Sequence, residues 1–363
     1  MEHKKIINQY QINLASAIYG SYVKKSVLAD LVYNTYSDSS ISEATELNIF
    51  IDLNSVMHPL YSEHNRIIFE NITDLSSGLI NMCAHYRSFF RELQVNTRFY
   101  LIQSLNTCDI NCKFVPEYNG VFKGKAEVTN TKPLIDNNLA LLKILCPYLP
   151  QIYYVESIQN FEFSVIVADI IERLNDRNPN LIISRDLYPL QLTALYPYTS
   201  YLFPIKKKTE DISWMLPINE KQNYRYEFWH KVALMKKYKL DYLLDISPIN
   251  YALFLALTYC PERNLKGLVQ PITAKKFIFS IVGSEDIKIQ PSQYMEDKEL
   301  CSNYPIASID ARYKAIDVTF MLPYYRNSPE SKQLQFVDLE DNATVNSICA
   351  RYYTNNPLDL LKL

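Results

Sequence analysis

Glycine is scarce in this chain, six in 363 residues, so few backbone positions reach positive φ cheaply and tight phosphate-cradling turns are rare. No apolar run approaches the roughly 18 residues of a membrane span. The opening MEHKKIINQYQINLAS also has no continuous apolar core of the length a signal peptide needs. Both absences predict a soluble, cytoplasmic protein with no membrane partner. The seven cysteines, at 83, 108, 112, 146, 260, 301 and 349, are odd in number, and the close pair Cys108 and Cys112 has no matching second pair. That argues against a zinc site and against a disulfide framework. An excess of positive charge is also missing, since the formal net charge is −2. Any contact with nucleic acid must therefore come from local basic patches. His58, His64, His85 and His230 show neither paired spacing nor a neighbouring nucleophile, so serine or cysteine hydrolase chemistry has no support.

What is present points to a large packed core, because 48% of the residues are apolar. Residues 1–46 read as a helical lead-in that ends in the polar stretch SDSSISEATE. Then LNIFIDLNSV reads as a buried strand closed by an Asp, and TRFYLIQS, QIYYVES, NLIISRD and TSYLFPI read as further strands. The expected strands lie near 47–53, 98–103, 152–155, 180–184 and 200–204. Helix-like segments, RIIFENITDLSSGLINMCAHYRSFFREL and EFSVIVADIIERLND, lie between some of them. Strands alternating with helices predict an α/β domain over 47–210, with a central parallel sheet flanked by helices and ligands at the carboxyl ends of the strands. Asp52 and Asp186 stand at such ends.

After KKKTED the pattern turns helical, in YRYEFWHKVALMKKYKL and then LALTYCPERNLKGLVQPITAKKFI, which reads as a helical hairpin with a turn at Pro261 and Gly267. This predicts a helical region over 211–285. The remaining 286–363 forms a C-terminal extension whose sequence assigns it no role.

Four segments in order resemble the 5′-nuclease family of phage and bacterial exonucleases and flap endonucleases, which has a PIN-like fold. IFIDLNSV is similar to its opening strand ending in a metal-binding Asp. RFYLIQSLNTCDINCKFVPEYNGVFKGK resembles its strand, F-D-G motif and basic gateway segment. FEFSVIVADII and LIISRDLYPLQL resemble E-A-D-D-V-I-A and I-x-S-G-D-x-D-x-x-Q-L. LALTYCPERNLKGLVQPITAKKFI resembles its helix-two-turn-helix.

The resemblance implies a site where two divalent ions, held by a cluster of carboxylates, activate water against a phosphodiester. Asp52, Glu162 and Asp186 match family carboxylates. Other family Asp positions fall on Gln103, Ser164, Val165 and Tyr188, a set that implies no metal or weak Mg²⁺ binding. Asp169, one helical turn beyond Val165, is a candidate substitute ligand. Helix capping or ion pairing at the sheet edge is the alternative role for Asp52 and Asp186, and Glu162 equally suits the first turn of a helix. In the hairpin, Gly267 matches the first family glycine, while the next two fall on Gln270 and Ile272.

For nucleic acid, Lys266, Gly267, Lys275 and Lys276 in the hairpin and Lys113, Lys123 and Lys125 in the gateway segment are the candidate contacts. A solvated lysine face is the alternative. The resulting expectation is a catalytically impaired 5′-nuclease-like protein that binds DNA or protein partners in a phage or viral replication assembly, or the virion. The alternatives are an active divergent Mg²⁺-dependent exonuclease and a purely structural subunit.

Overall fold

The computed structural model describes residues 46–54, 74–92, 95–104, 109–118, 132–157, 161–176, 178–184, 186, 188–196, 199–203, 213–220, 223–228, 246–258, 265–283, 287–336, 338–339, 343–344 and 346–348. The expected lead-in helix over 1–46 lies outside them, apart from residue 46. Among the described residues no helix is long and apolar enough to cross a membrane.

Strand β1, Glu46–Asp52, is buried from Leu47 to Asp52. Burial on both faces explains why it reads as a near-continuous apolar run rather than an alternating one. It pairs in parallel with β2, Asn96–Ser104, on one side and with β4, Asn180–Ile183, on the other. Strand β3, Ile152–Ser157, extends the sheet beyond β2, and β5, Thr199–Phe203, extends it beyond β4, again in parallel. The five expected strands are thus present in the expected parallel sheet.

Two antiparallel strands, β6 (Ser213–Glu220) and β7 (Asn223–Phe228), complete the order β3-β2-β1-β4-β5-β6-β7. The helix expected from Tyr224 onward is corrected here, because 223–228 pairs with β6 as a strand. NYRYEF is rich in tyrosine and phenylalanine, which suit a pleated surface as well as a helix, and sheet pairing settles the choice. Pro217 lies beyond the stretch of β6 that pairs with β5, so its missing N–H removes no bond on that side.

Helix α1, Asp74–Glu92, links β1 to β2. Between β2 and β3 lie α2, Asp109–Phe114, and α3, Lys132–Leu145. Helix α4, Phe163–Leu174, links β3 to β4 and ends on Asn175 at φ 42°, a left-handed position that Asn tolerates better than most residues. The short helix α5, Leu192–Leu195, precedes β5. Helices α6, Tyr251–Leu257, and α7, Pro271–Val282, form the hairpin-like pair. Residues 268 and 269 both donate backbone N–H to the Leu257 carbonyl, at 3.0 Å each, and so tie the connection back onto α6.

The C-terminal region folds into α8 (Pro291–Met295), α9 (Lys298–Asn303), α10 (Ile306–Ile316), α11 (Val318–Arg326) and α12 (Pro329–Gln333). It packs onto the rest of the chain rather than trailing from it. Asn111 on α2 donates to the Ala315 carbonyl, and Gln191 bridges the Ile316 carbonyl (3.2 Å) and the Val318 N–H (2.9 Å). These anchors lie on segments that follow the carboxyl ends of β2 and β4. Phe161, Ile309, Met321 and Tyr325 share one apolar core with α4 and α6.

Candidate metal and nucleic-acid site

The chain leaves β1 to build β2 and β3 on one side, then returns to place β4 on the other. The carboxyl ends of β1 and β4 therefore form the switch point of the parallel sheet, where open α/β folds bind ligands. Ile51 is opposite Ile183, which sets Asp52 beside Ser184. The Ser184 hydroxyl donates to Asp52 Oδ2 at 2.7 Å, and its oxygen accepts the Asp186 N–H at 3.0 Å. Asp186 Oδ1 in turn accepts the Tyr188 N–H at 3.2 Å, a local side-chain turn that fixes the loop.

Tyr201 on β5 closes the group from below, donating its hydroxyl to the Ser184 carbonyl at 2.9 Å. Burial, with the Asp186 and Asp52 carboxylates nearby, pushes its phenol well above the ordinary range. It stays a protonated donor. Sequence reasoning singled out neither Ser184 nor Tyr201. For Ser184 the signal was its place two residues before Asp186 at a strand end; Tyr201 carried none.

Neighbouring strand ends are also tied, since Asn54 Nδ2 donates to Ser104 Oγ at 3.1 Å. Gln103 accepts from the Tyr154 hydroxyl. Glu162 occupies the N-cap position of α4 without capping it, and instead accepts the hydroxyl of the buried Tyr118 at 2.5 Å.

The other matched positions point elsewhere. Val165 and Tyr188 are both 2% exposed and belong to the apolar core. Asp169 is not a substitute ligand: Oδ2 accepts Arg173 Nε at 2.7 Å and the Ser331 hydroxyl at 3.0 Å, while Oδ1 accepts Arg326 Nε at 3.1 Å. Its position one turn past Val165 turns it toward the C-terminal helices, a direction the spacing alone does not reveal. Among the described residues no three His, Cys, Asp or Glu side chains gather as a potential metal group. Two carboxylates, each already hydrogen-bonded, do not fit a pair of divalent ions, whose mutual repulsion calls for a denser set of anionic oxygens.

No family model matches the chain, and no curated protein does. Its chain path is similar to that of solved nuclease structures. A bacteriophage T5 flap endonuclease pseudo-enzyme–product complex with DNA and metal ions is 11% identical, with TM-score 0.49, over 87% of this chain and 100% of that one. A T5 5′-exonuclease with bound zinc ions is 13% identical, with TM-score 0.46, over 87% and 97%. The catalytic core of Rad2 in complex with DNA substrate is 13% identical, with TM-score 0.42, over 88% and 91%. At these identities and scores no residue role transfers.

Of the candidate DNA contacts, Lys113 is exposed on α2, Lys266 and Gly267 are exposed before α7, and Lys276 is exposed on α7. Lys275 is half-buried, with Nζ 5.6 Å from the centre of the Phe279 ring. The positive-φ positions among the described residues are Gln151, Asn175 and Gly283, so Gly267 does not use the left-handed region that its lack of a Cβ would permit. Lys123 and Lys125 lie outside the described residues.

Proposed function

We propose that this chain is a flap endonuclease-like protein with impaired catalysis that binds nucleic acid as part of a replication assembly. The phage or viral setting rests on the likeness of its motifs to phage-type nucleases. One observation carries the reading: the switch point holds Asp52 and Asp186, while the positions that could complete a two-ion site are core residues, Val165 and Tyr188, or ion-paired, Asp169. Were Mg²⁺ bound, Asp52 and Asp186 would hold it, and it would supply Lewis acidity at a phosphate oxygen. What the chain itself does there is different. Ser184 donates to Asp52, and Tyr201 donates to the Ser184 carbonyl, which fixes the turn that carries Asp186.

The test uses labelled flap, nicked and single-stranded DNA with Mg²⁺ or Mn²⁺, comparing the wild type with an Asp52→Ala, Asp186→Ala double variant. Equal background in both is expected. Robust cleavage lost in the double variant would establish an active divergent enzyme instead. Binding, followed by fluorescence anisotropy, should fall about 3.5-fold per phosphate contact between 50 and 200 mM salt on duplex DNA. Lys266→Gln and Lys276→Gln should flatten that slope. No binding at low salt would favour a structural subunit.

A further inference from the structure

An open cleft of about 610 Å³ lies between α2, the residue preceding Glu162, and the C-terminal helix α11. Its walls include Ile110, Phe161, Phe320, Pro323, Tyr324 and Asn327. The size falls within the range of small-ligand sites, about 300–1,000 Å³. Behind the wall, Phe114 meets Phe320 edge-on with centroids 5.4 Å apart and meets Tyr324 at 6.0 Å. Phe320 and Tyr324 are 5.7 Å apart. This cluster fixes the Tyr324 ring from behind, yet Tyr324 stays 44% exposed. An aromatic ring braced on one side and open on the other is a platform for a second flat ring.

Polarity and charge narrow the class of ligand. Among the described residues no acidic side chain lines the cleft. The exposed Asn327 carboxamide offers a donor and an acceptor to the edge of a planar heterocycle. Lys113 is exposed and follows Ile110 by three residues on α2, so it stands one helical turn along the face that forms the wall. A cation beside an uncharged aromatic slot matches a phosphate joined to a base.

We infer that this cleft stacks an unpaired nucleobase on Tyr324, with the adjoining phosphate of a single strand near Lys113. The inference rests on the nucleic-acid-binding reading above and adds a second contact region, made by the C-terminal helices. A base stacked on an aromatic ring contributes affinity whatever its identity, so the site holds single strands without reading sequence.

The experiment compares a twelve-nucleotide oligothymidylate with an abasic oligomer of equal length, both by anisotropy, with a blunt duplex as control. Wild type should bind the base-bearing strand about 5- to 150-fold more tightly than the abasic one. Tyr324→Ala should remove that difference, Tyr324→Phe should keep it, and neither should change the circular dichroism spectrum or blunt-duplex affinity. Lys113→Gln should weaken both strands alike and lower the salt slope. Equal wild-type affinity for the two strands, or a difference that survives Tyr324→Ala, overturns the cleft while leaving duplex binding to stand. Failure to bind any of the three DNAs overturns both the cleft and the nucleic-acid reading.

Discussion

Replacing Asp169 by Asn separates a structural carboxylate from a metal ligand with almost no change in volume. Asp169 is 1% exposed and holds two arginines and a serine. Asn keeps one acceptor and turns the other oxygen into an N–H₂ group that faces a guanidinium donor. A charge-assisted hydrogen bond contributes about 1.5–3 kcal/mol. The arginine side chains, however, are 36% and 42% exposed and can rehydrate once released. That screening brings the loss for the whole cluster to about 3 kcal/mol. For a chain of 363 residues the thermal midpoint should fall by about 4 °C, measured by differential scanning calorimetry. Arg326→Gln should cost less, because Arg173 still faces the carboxylate. An unchanged midpoint together with weaker Mg²⁺ binding in Asp169→Asn would refute the reasoning and return Asp169 to the ligand set.

Restoring the family carboxylate as Val165→Asp should destabilise the protein without raising Mg²⁺ affinity. It removes a side chain whose burial is worth about 1.5–3 kcal/mol and places a charge in the apolar core; Mg²⁺ raising the midpoint of the variant but not of wild type would contradict this. For Asp317, burial opposes the charge, but Lys288 at 2.7 Å and neighbouring hydroxyls win and hold its carboxyl below the ordinary value. Its contribution is full above about pH 4, the unfolded carboxylate range, and is lost as pH falls through the lowered folded value. The midpoint gap between wild type and Asp317→Asn should therefore close only in acid; a gap constant down to pH 2 contradicts it. Burial pushes the Cys83 thiol up to about 12, although Arg87 pulls it down, and Cys146 is raised further by the same burial. Peptide mapping after a brief native thiol-labelling pulse should find Cys301 modified and Cys83 and Cys146 untouched until the protein is unfolded; early label on Cys83 contradicts the buried packing.

The five parallel strands were legible because each is a short, β-branched or aromatic run bounded by polar residues, and burial on both faces of β1 and β4 leaves that signature undiluted there. The β6–β7 hairpin was not. NYRYEF satisfies helix and strand patterns alike, and only an available edge of β5, reached through β6, makes the strand the better-bonded choice. The C-terminal helices were equally opaque, since Asn111, Gln191 and Asp169 lie 125 or more residues before the groups they bond within 315–331.

By itself the sequence determined that Asp52 closes a strand and that Asp186 follows shortly after one, because a strand's boundary is local chemistry. It also determined that Val165 and Tyr188 are not carboxylates, which limits the charge any ion could meet. Tertiary structure alone decided what the other groups face. Asp169 turns to two arginines from α4 and α11, Ser184 and Tyr201 fill the corner between β1 and β5, and Tyr324 is left open beside α2. The physical reason is that side-chain direction depends on which elements pack together. Hydrogen bonds and ion pairs are then completed across distances in sequence that no local period records.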